Sequence, residues 1–224
     1  MNKEGYRDIS EVLKSGTKPL EPKAFEELAN LSGSLILDVR HQSDFANRHI
    51  PQSIFIGIDG VFAPWVGAMI GNVAQPILLV TPEGREKETV TRLARVGFDN
   101  TLGYLKGGLK AWQKEGKTID SIKVIDAMTL NELNKKESLT VFDVRKPDEY
   151  FYEHMLEAKN TPLDFMNQYM NEFPLDDSFY IHCAGGYRSM IAASILKSRG
   201  IHNLVDIKGG FNAIKKTKIK TTKN

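Results

Sequence analysis

The sequence is short of cysteine: its 224 residues include a single one, Cys183. One thiol cannot close an internal disulfide, so nothing in the chain requires an oxidising compartment. Nor can it build a Cys-rich zinc site. The five histidines (His41, His49, His154, His182 and His202) show neither HExxH nor CxxC spacing. Long apolar runs are missing too. No stretch approaches the roughly 18 residues of a membrane span, and the opening MNKEGYRDIS is polar, without the apolar core of a secretory leader. Charge of one sign is also scarce. A formal net charge of +2 is too balanced to point to nucleic acid. These absences predict a cytoplasmic protein with no nucleic-acid or membrane partner. What remains, 41% hydrophobic and 26% charged residues, is the composition of a folded chain rather than a disordered one.

What the chain does have is itself, twice. LILDVRHQSDFANRHI starts at Leu35 and LTVFDVRKPDEYFYEHM at Leu139. Asp38 and Asp143, Phe45 and Tyr150, and His49 and His154 are each 105 residues apart. ILLV at 77–80 and FYIH at 179–182 differ by 102, as do the two KGG triplets at 106–108 and 208–210. Several unrelated matches at nearly one offset mean two copies of one domain, each of about 100 residues. The patternless stretch GKTIDSIK, 116–123, marks the boundary. The spacing predicts a linker at 1–17, a first domain at 18–119, a second at 120–216 and a solvated basic tail at 217–224.

Each copy alternates short apolar strands with helical segments, which predicts an α/β domain with a mainly parallel sheet. In the second copy the strand FYIH ends at Cys183, and an apolar helix starts near Arg188 or Ser189. The turn between them is Ala184-Gly185-Gly186-Tyr187. Glycines allow a tight loop with its amides turned inward, and a helix start adds positive polarity. Ligands in open α/β sheets bind at such strand ends. Thiolate is the reactive form of cysteine, and this setting favours negative charge. Arg188 offers a forked donor to an anion. Two chemistries use this layout: attack on phosphorus, and attack on a sulfane sulfur that is kept as a persulfide. The loop of four residues between Cys183 and Arg188 is tighter than the cradle of cysteine phosphatases and favours sulfur. A phosphatase or arsenate reductase-like enzyme, and an inert buried thiol, stay open.

Other residues read more plainly. Asp38 with Arg40, and Asp143 with Arg145, read as structural ion pairs at strand ends. His49 and His154 read as satisfied loop histidines. His182 should point away from the thiol by strand alternation. FAPWVG, at 62–67, reads as a loop bounded by glycine and proline. Thr81 stands where the first copy would carry its cysteine, followed by Pro82, Glu83 and, one position early, Arg85. A threonine holds no persulfide, so the first copy reads as catalytically inactive.

The DVR strand, the histidine after it, the strand ending HCAGGYRS and the KGG turn before a last helix resemble a tandem rhodanese. The resemblance covers nearly all of residues 18–216. It implies two rhodanese-like domains, each a mainly parallel five-stranded sheet flanked by helices. It implies sulfurtransfer from thiosulfate or a low-molecular-weight persulfide to a nucleophilic acceptor, with no cofactor and no metal. Carried over, Cys183 is the sulfur acceptor, the backbone of Ala184, Gly185, Gly186, Tyr187 and Ser189 cradles the sulfur, and Arg188 orients the anionic donor. In one respect the second copy departs from the family: EHMLEAKN stands where the usual loop is GHIPGAxN. An inactive copy followed by an active one, together with NKEGYRDISEVLKSGTKPL and GVFAPWVGAMIG, is similar to the C-terminal half of fusions with a metallo-β-lactamase-fold persulfide dioxygenase. This finer resemblance implies a persulfide dioxygenase domain or partner, or a role as a regulatory or sulfur-carrier module within such an assembly.

Overall fold

The structure is a computed structural model that describes residues 8–223. Two compact units divide between Asp120 and Ser121. In the first, the order along the chain is α1 (Ile9–Gly16), β1 (Pro19–Leu20), α2 (Pro22–Ser32), β2 (Leu35–Asp38), α3 (Gln42–Asn47), β3 (Ile54–Phe55), α4 (Phe62–Met69), β4 (Ile77–Val80), α5 (Glu86–Ala94), β5 (Thr101–Leu105) and α6 (Gly108–Lys114). The second runs β6 (Lys123–Ile125), α7 (Ala127–Asn134), β7 (Val141–Asp143), α8 (Pro147–Tyr152), β8 (Glu153–Met155), β9 (Lys159–Asn160), β10 (Phe179–His182), α9 (Tyr187–Ser198), β11 (Leu204–Ile207), α10 (Gly210–Ile214) and β12 (Thr221–Lys223). Two short 3-10 turns, Leu163–Gln168 and Met170–Glu172, precede β10.

Each unit builds a five-stranded sheet, ordered β1-β5-β4-β2-β3 in the first and β6-β11-β10-β7-β9 in the second. Every pairing within both sheets is parallel. The fold is thus two α/β domains with five-stranded parallel sheets flanked by helices, the architecture expected from the sequence. The interior strands β4 and β11 are buried at every residue, as strands covered on both faces must be. In the second unit one face of the sheet packs Leu130, Val141, Ile207, Phe211 and Ile214 together. Elsewhere in that unit Phe142, Phe173 and Phe179 form a ring cluster with centroids 4.7–5.5 Å apart. That aromatic packing supports β7 and β10, the two strands that lead to the site.

Three segments differ from their sequence reading. Of the expected linker at 1–17, residues 1–7 lie outside the described residues, while 9–16 form α1. Asp8 caps this helix by accepting the Ser10 amide at 2.7 Å. Its Val12 is fully buried, and Gly16 sits so close to Val90 that an added Cβ would lie 2.7 Å from that side chain. FAPWVG becomes the start of α4 rather than a loop. Pro64 is third in that helix, within the first turn, where an amide has no intrahelical partner to lose. Finally, the basic tail is not frayed. Ile219 is buried, and β12 pairs antiparallel with β8, Thr222 opposite His154. In the first unit Asp120 bridges His49 in the same sense. His49 and His154 are the 105-residue pair, and Asp120 and Thr222 differ by 102. The returning segment is therefore part of the repeat, and its exposed lysines conceal it in the sequence.

Candidate active site

The frame around the site is a hydrogen-bonded device present in both units. Arg145 donates from Nε to Asp143 Oδ1 at 2.9 Å and from Nη2 to Asp143 Oδ2 at 2.6 Å, and Nη2 also reaches the Glu153 carbonyl at 2.8 Å. In the first unit Arg40 makes the same bonds to Asp38 at 2.9 and 2.6 Å, and to the Arg48 carbonyl at 2.7 Å. His49 Nδ1 lies 2.9 Å from the Phe45 carbonyl and His154 Nδ1 2.8 Å from that of Tyr150. Each imidazole stacks on the ring of the same partner residue. Because the copy without a thiol keeps all of this unchanged, the Asp–Arg pairs and these histidines belong to the scaffold. Burial pushes the Asp38 carboxyl up despite Arg40 beside it, as desolvation of a charge requires.

β10 delivers Cys183 to its C-terminal end, and the loop then turns into α9. Cys183 is 1% exposed. The Gly186 amide donates to its Sγ at 3.1 Å. Gly186 has φ 104°, a conformation that glycine adopts without strain. The loop is held from below by α10: the Phe211 amide donates to the Cys183 carbonyl at 2.7 Å, and the Asn212 amide to that of Ala184 at 3.0 Å. With its carbonyls pinned away, the loop turns an N–H toward the sulfur. This grip requires a glycine at the start of α10. A Cβ on Gly210 would stand 2.2 Å from the Cys183 oxygen. The recurring KGG triplet was visible in the sequence, but its purpose was not.

The remaining expected site residues fall around the loop. Ala184 and Tyr187 are half-buried, Gly185 is exposed and Ser189 is fully buried in the first turn of α9. Ser189 faces Asp206 on β11, yet neither Ser189 Oγ nor Asp206 Oδ1 has a partner of hydrogen-bond geometry. Burial pushes the Asp206 carboxyl up to about 7. His182 is buried, and its Nδ1 lies 3.2 Å from the Cys183 carbonyl rather than the thiol. Desolvation pushes this imidazole down, so it is neutral at physiological pH and donates from Nδ1 to that carbonyl.

Arg188 is placed differently from its sequence reading. It lies within electrostatic reach of Cys183, but its fork is closed on Glu149. Nη2 donates to Glu149 Oε1 at 2.8 Å, and Nη1 donates to Oε2. Glu149 Oε2 also accepts the Lys146 amide at the start of α8. Sequence reasoning missed Glu149, although a signal existed: the position 105 residues earlier is Asp44, again a carboxylate six residues after the frame aspartate.

The first unit shows what the loop becomes without its cysteine. Thr81 donates to Glu86 Oε1 at 3.3 Å, and the Gly84 amide donates to the same oxygen at 3.2 Å. A carboxylate of the chain itself thus occupies the loop. Arg85 turns outward to Asp59 and Glu88. A cleft of about 470 Å³ remains over this loop, lined by Thr81, Glu83, Glu86 and Lys106 among others. Among the described residues no group of three or more His, Cys, Asp or Glu side chains converges as metal ligands would. No helix among them is long and apolar enough to cross a membrane.

The profile of the Rhodanese-like domain family matches this chain twice, at residues 21–115 and 126–217. Uncharacterized protein YqhL of Bacillus subtilis is 38% identical over 71 residues, covering 32% of this chain and 56% of YqhL. A sulfurtransferase of Allochromatium vinosum is 28% identical over 93 residues, 41% of this chain and 87% of that protein. Thiosulfate sulfurtransferase GlpE of Coxiella burnetii is 27% identical over 93 residues, 42% of this chain and 87% of GlpE. The chain spans about half the length of YqhL and of slr1261 from Synechocystis, 56% and 53%.

Proposed function

The chain belongs to the rhodanese-like domain family, and from that premise we propose that it is a sulfurtransferase whose second domain carries sulfur on Cys183. One observation carries the reading: the only thiol of the chain stands at the end of a central strand, with a loop amide directed at its sulfur. The sulfurtransferase names of the Allochromatium and Coxiella relatives agree with it.

The chemistry is a double displacement. The Cys183 thiolate attacks the outer, sulfane sulfur of the donor. With thiosulfate, the donor S–S bond breaks and sulfite leaves with the bonding pair. With an organic persulfide, a thiolate leaves instead. The new persulfide sits under the Gly186 amide, which stabilises its negative charge. An acceptor such as cyanide, sulfite or a thiol then attacks the outer sulfur and regenerates the Cys183 thiolate. No electron acceptor is needed in either half. The first domain takes no part in transfer, since Thr81 cannot hold sulfur and Glu86 fills its loop.

A second reading has an observation of its own. A domain that keeps its scaffold but not its thiol suits a binding module, so the pair can serve chiefly to hand a persulfide to a partner such as a persulfide dioxygenase. Steady-state thiocyanate production from thiosulfate or a persulfide plus cyanide separates the two. Turnover in wild type, absent in Cys183→Ser, supports the enzyme. Persulfide loading with negligible turnover supports the carrier, and neither loading nor turnover overturns both.

A further inference from the structure

Arg188 is the forked cation within electrostatic reach of Cys183, and both of its terminal nitrogens are already bonded to Glu149. The pair is half-sheltered: the Arg188 side chain is 17% exposed and that of Glu149 34%. The hydrogen bonds from Arg188 hold the Glu149 carboxyl below the usual carboxylate range, so it is ionised at neutral pH. The pair therefore carries no net charge. The neighbouring Asp143 and Arg145 are likewise bonded to each other. What faces the sulfur directly is the neutral Gly186 amide. A dianion arriving at this loop finds Arg188 already neutralised by a bonded carboxylate.

We propose that Glu149 is a specificity-determining residue that turns the site away from the thiosulfate dianion and toward organic persulfides, R–S–SH. The proposal rests on the sulfurtransferase reading and narrows its donor. Thiosulfate must exchange its oxygens for the Glu149 carboxylate on Arg188, and the displaced carboxylate then repels the incoming dianion. An organic persulfide makes no such demand. The Cys183 thiolate attacks its outer sulfur, the S–S bond of the donor breaks and R–S⁻ leaves with the bonding pair. The outer sulfur remains on Cys183 with its proton, which is then lost to solvent. Recognition rests on the S–S unit and on R, without an oxyanion. Glu149 acts through Arg188, so its signature is a change in donor preference rather than in rate alone.

The test is the rate at which Cys183 gains one sulfur, followed by rapid quench and intact-protein mass. The donors are thiosulfate and the persulfide of 2-mercaptoethanol, and the proteins are the full chain and its Glu149→Gln variant. Glutamine keeps an oxygen to accept from Arg188 and from the Lys146 amide but removes the charge. Wild type should load from the persulfide faster than from thiosulfate. In Glu149→Gln the ratio of thiosulfate to persulfide rates should rise about tenfold, the scale of one removed like-charge contact. If that variant does not fold, Glu149→Ala should move the ratio in the same direction. An unchanged or reduced ratio, or a wild type that prefers thiosulfate, overturns the proposal. Loading from neither donor in either protein instead overturns the sulfurtransferase reading beneath it.

Discussion

Cys183 and Thr81 occupy corresponding strand ends, and the difference between a sulfur and a hydroxyl oxygen decides which domain can carry sulfur. Cys183→Ser should therefore lose at least about 10³-fold in transfer rate while keeping its fold, checked by thiocyanate assay beside thermal melting. The nearby Asp206 makes a different kind of prediction. Its carboxyl is raised from the ordinary 3.8 to about 7 because it is buried. Between those values the folded protein holds a proton that the unfolded chain has released. Stability from this group is therefore lost as pH rises through that window, and above it a buried carboxylate with an orphaned oxygen remains. Asp206→Asn removes the penalty. Denaturant melts at about pH 5 and pH 8 should show the variant gaining on the order of 2–4 kcal/mol more at the higher pH. An equal change at both pH values would show that Asp206 is not protonated in the fold.

At the scale of elements, the active loop depends on the start of α10. Gly210 and Gly108 are equivalent by the 102-residue offset and have nearly the same φ, 55° and 56°. A Cβ on Gly210 would collide with the Cys183 oxygen, whereas one on Gly108 would meet nothing within 4 Å. Alanine at Gly108 should therefore cost only the strain of a positive φ, about 1 kcal/mol. Alanine at Gly210 must also push α10 off the loop, breaking the bonds from Phe211 and Asn212. It should slow persulfide loading by about 100-fold, measured as the rate of mass gain. Equal effects of the two substitutions would mean that the close approach does not position the cysteine.

The parts legible in the sequence were those with a local or periodic signature. The DVR strands, the strand ending at Cys183, the glycine loop and the KGG turns repeat at fixed offsets, and each lies within one short segment. What escaped depends on contacts between distant segments. Glu149 reads as one more surface acid on α8 until the fold sets it beside Arg188. β12 reads as a charged tail because its pairing partner, β8, lies 68 residues away at Glu153 and Thr221. α1 is read as a linker because its burial, at Val12 and Gly16, depends on α5. The 105-residue offset did carry Asp44 under Glu149, but a shared carboxylate shows its meaning only once the arginine it binds is known.

For the whole molecule, the duplication makes the first domain a built-in control. Its scaffold bonds match those of the second to within about 0.2 Å, while its loop is filled by Glu86. Thr81→Cys in a Cys183→Ser background should consequently restore no sulfur transfer, because the new thiol would face the Glu86 carboxylate. Strong recovered turnover would show that the missing sulfur alone separates the domains. The central claim rests on the second domain and is tested most directly by intact-protein mass after incubation with thiosulfate, and separately with an organic persulfide, before and after reductant. Wild type should gain one sulfur atom that reductant removes, and Cys183→Ser should gain none. Gain in both proteins, or in neither with either donor, would contradict a persulfide on Cys183.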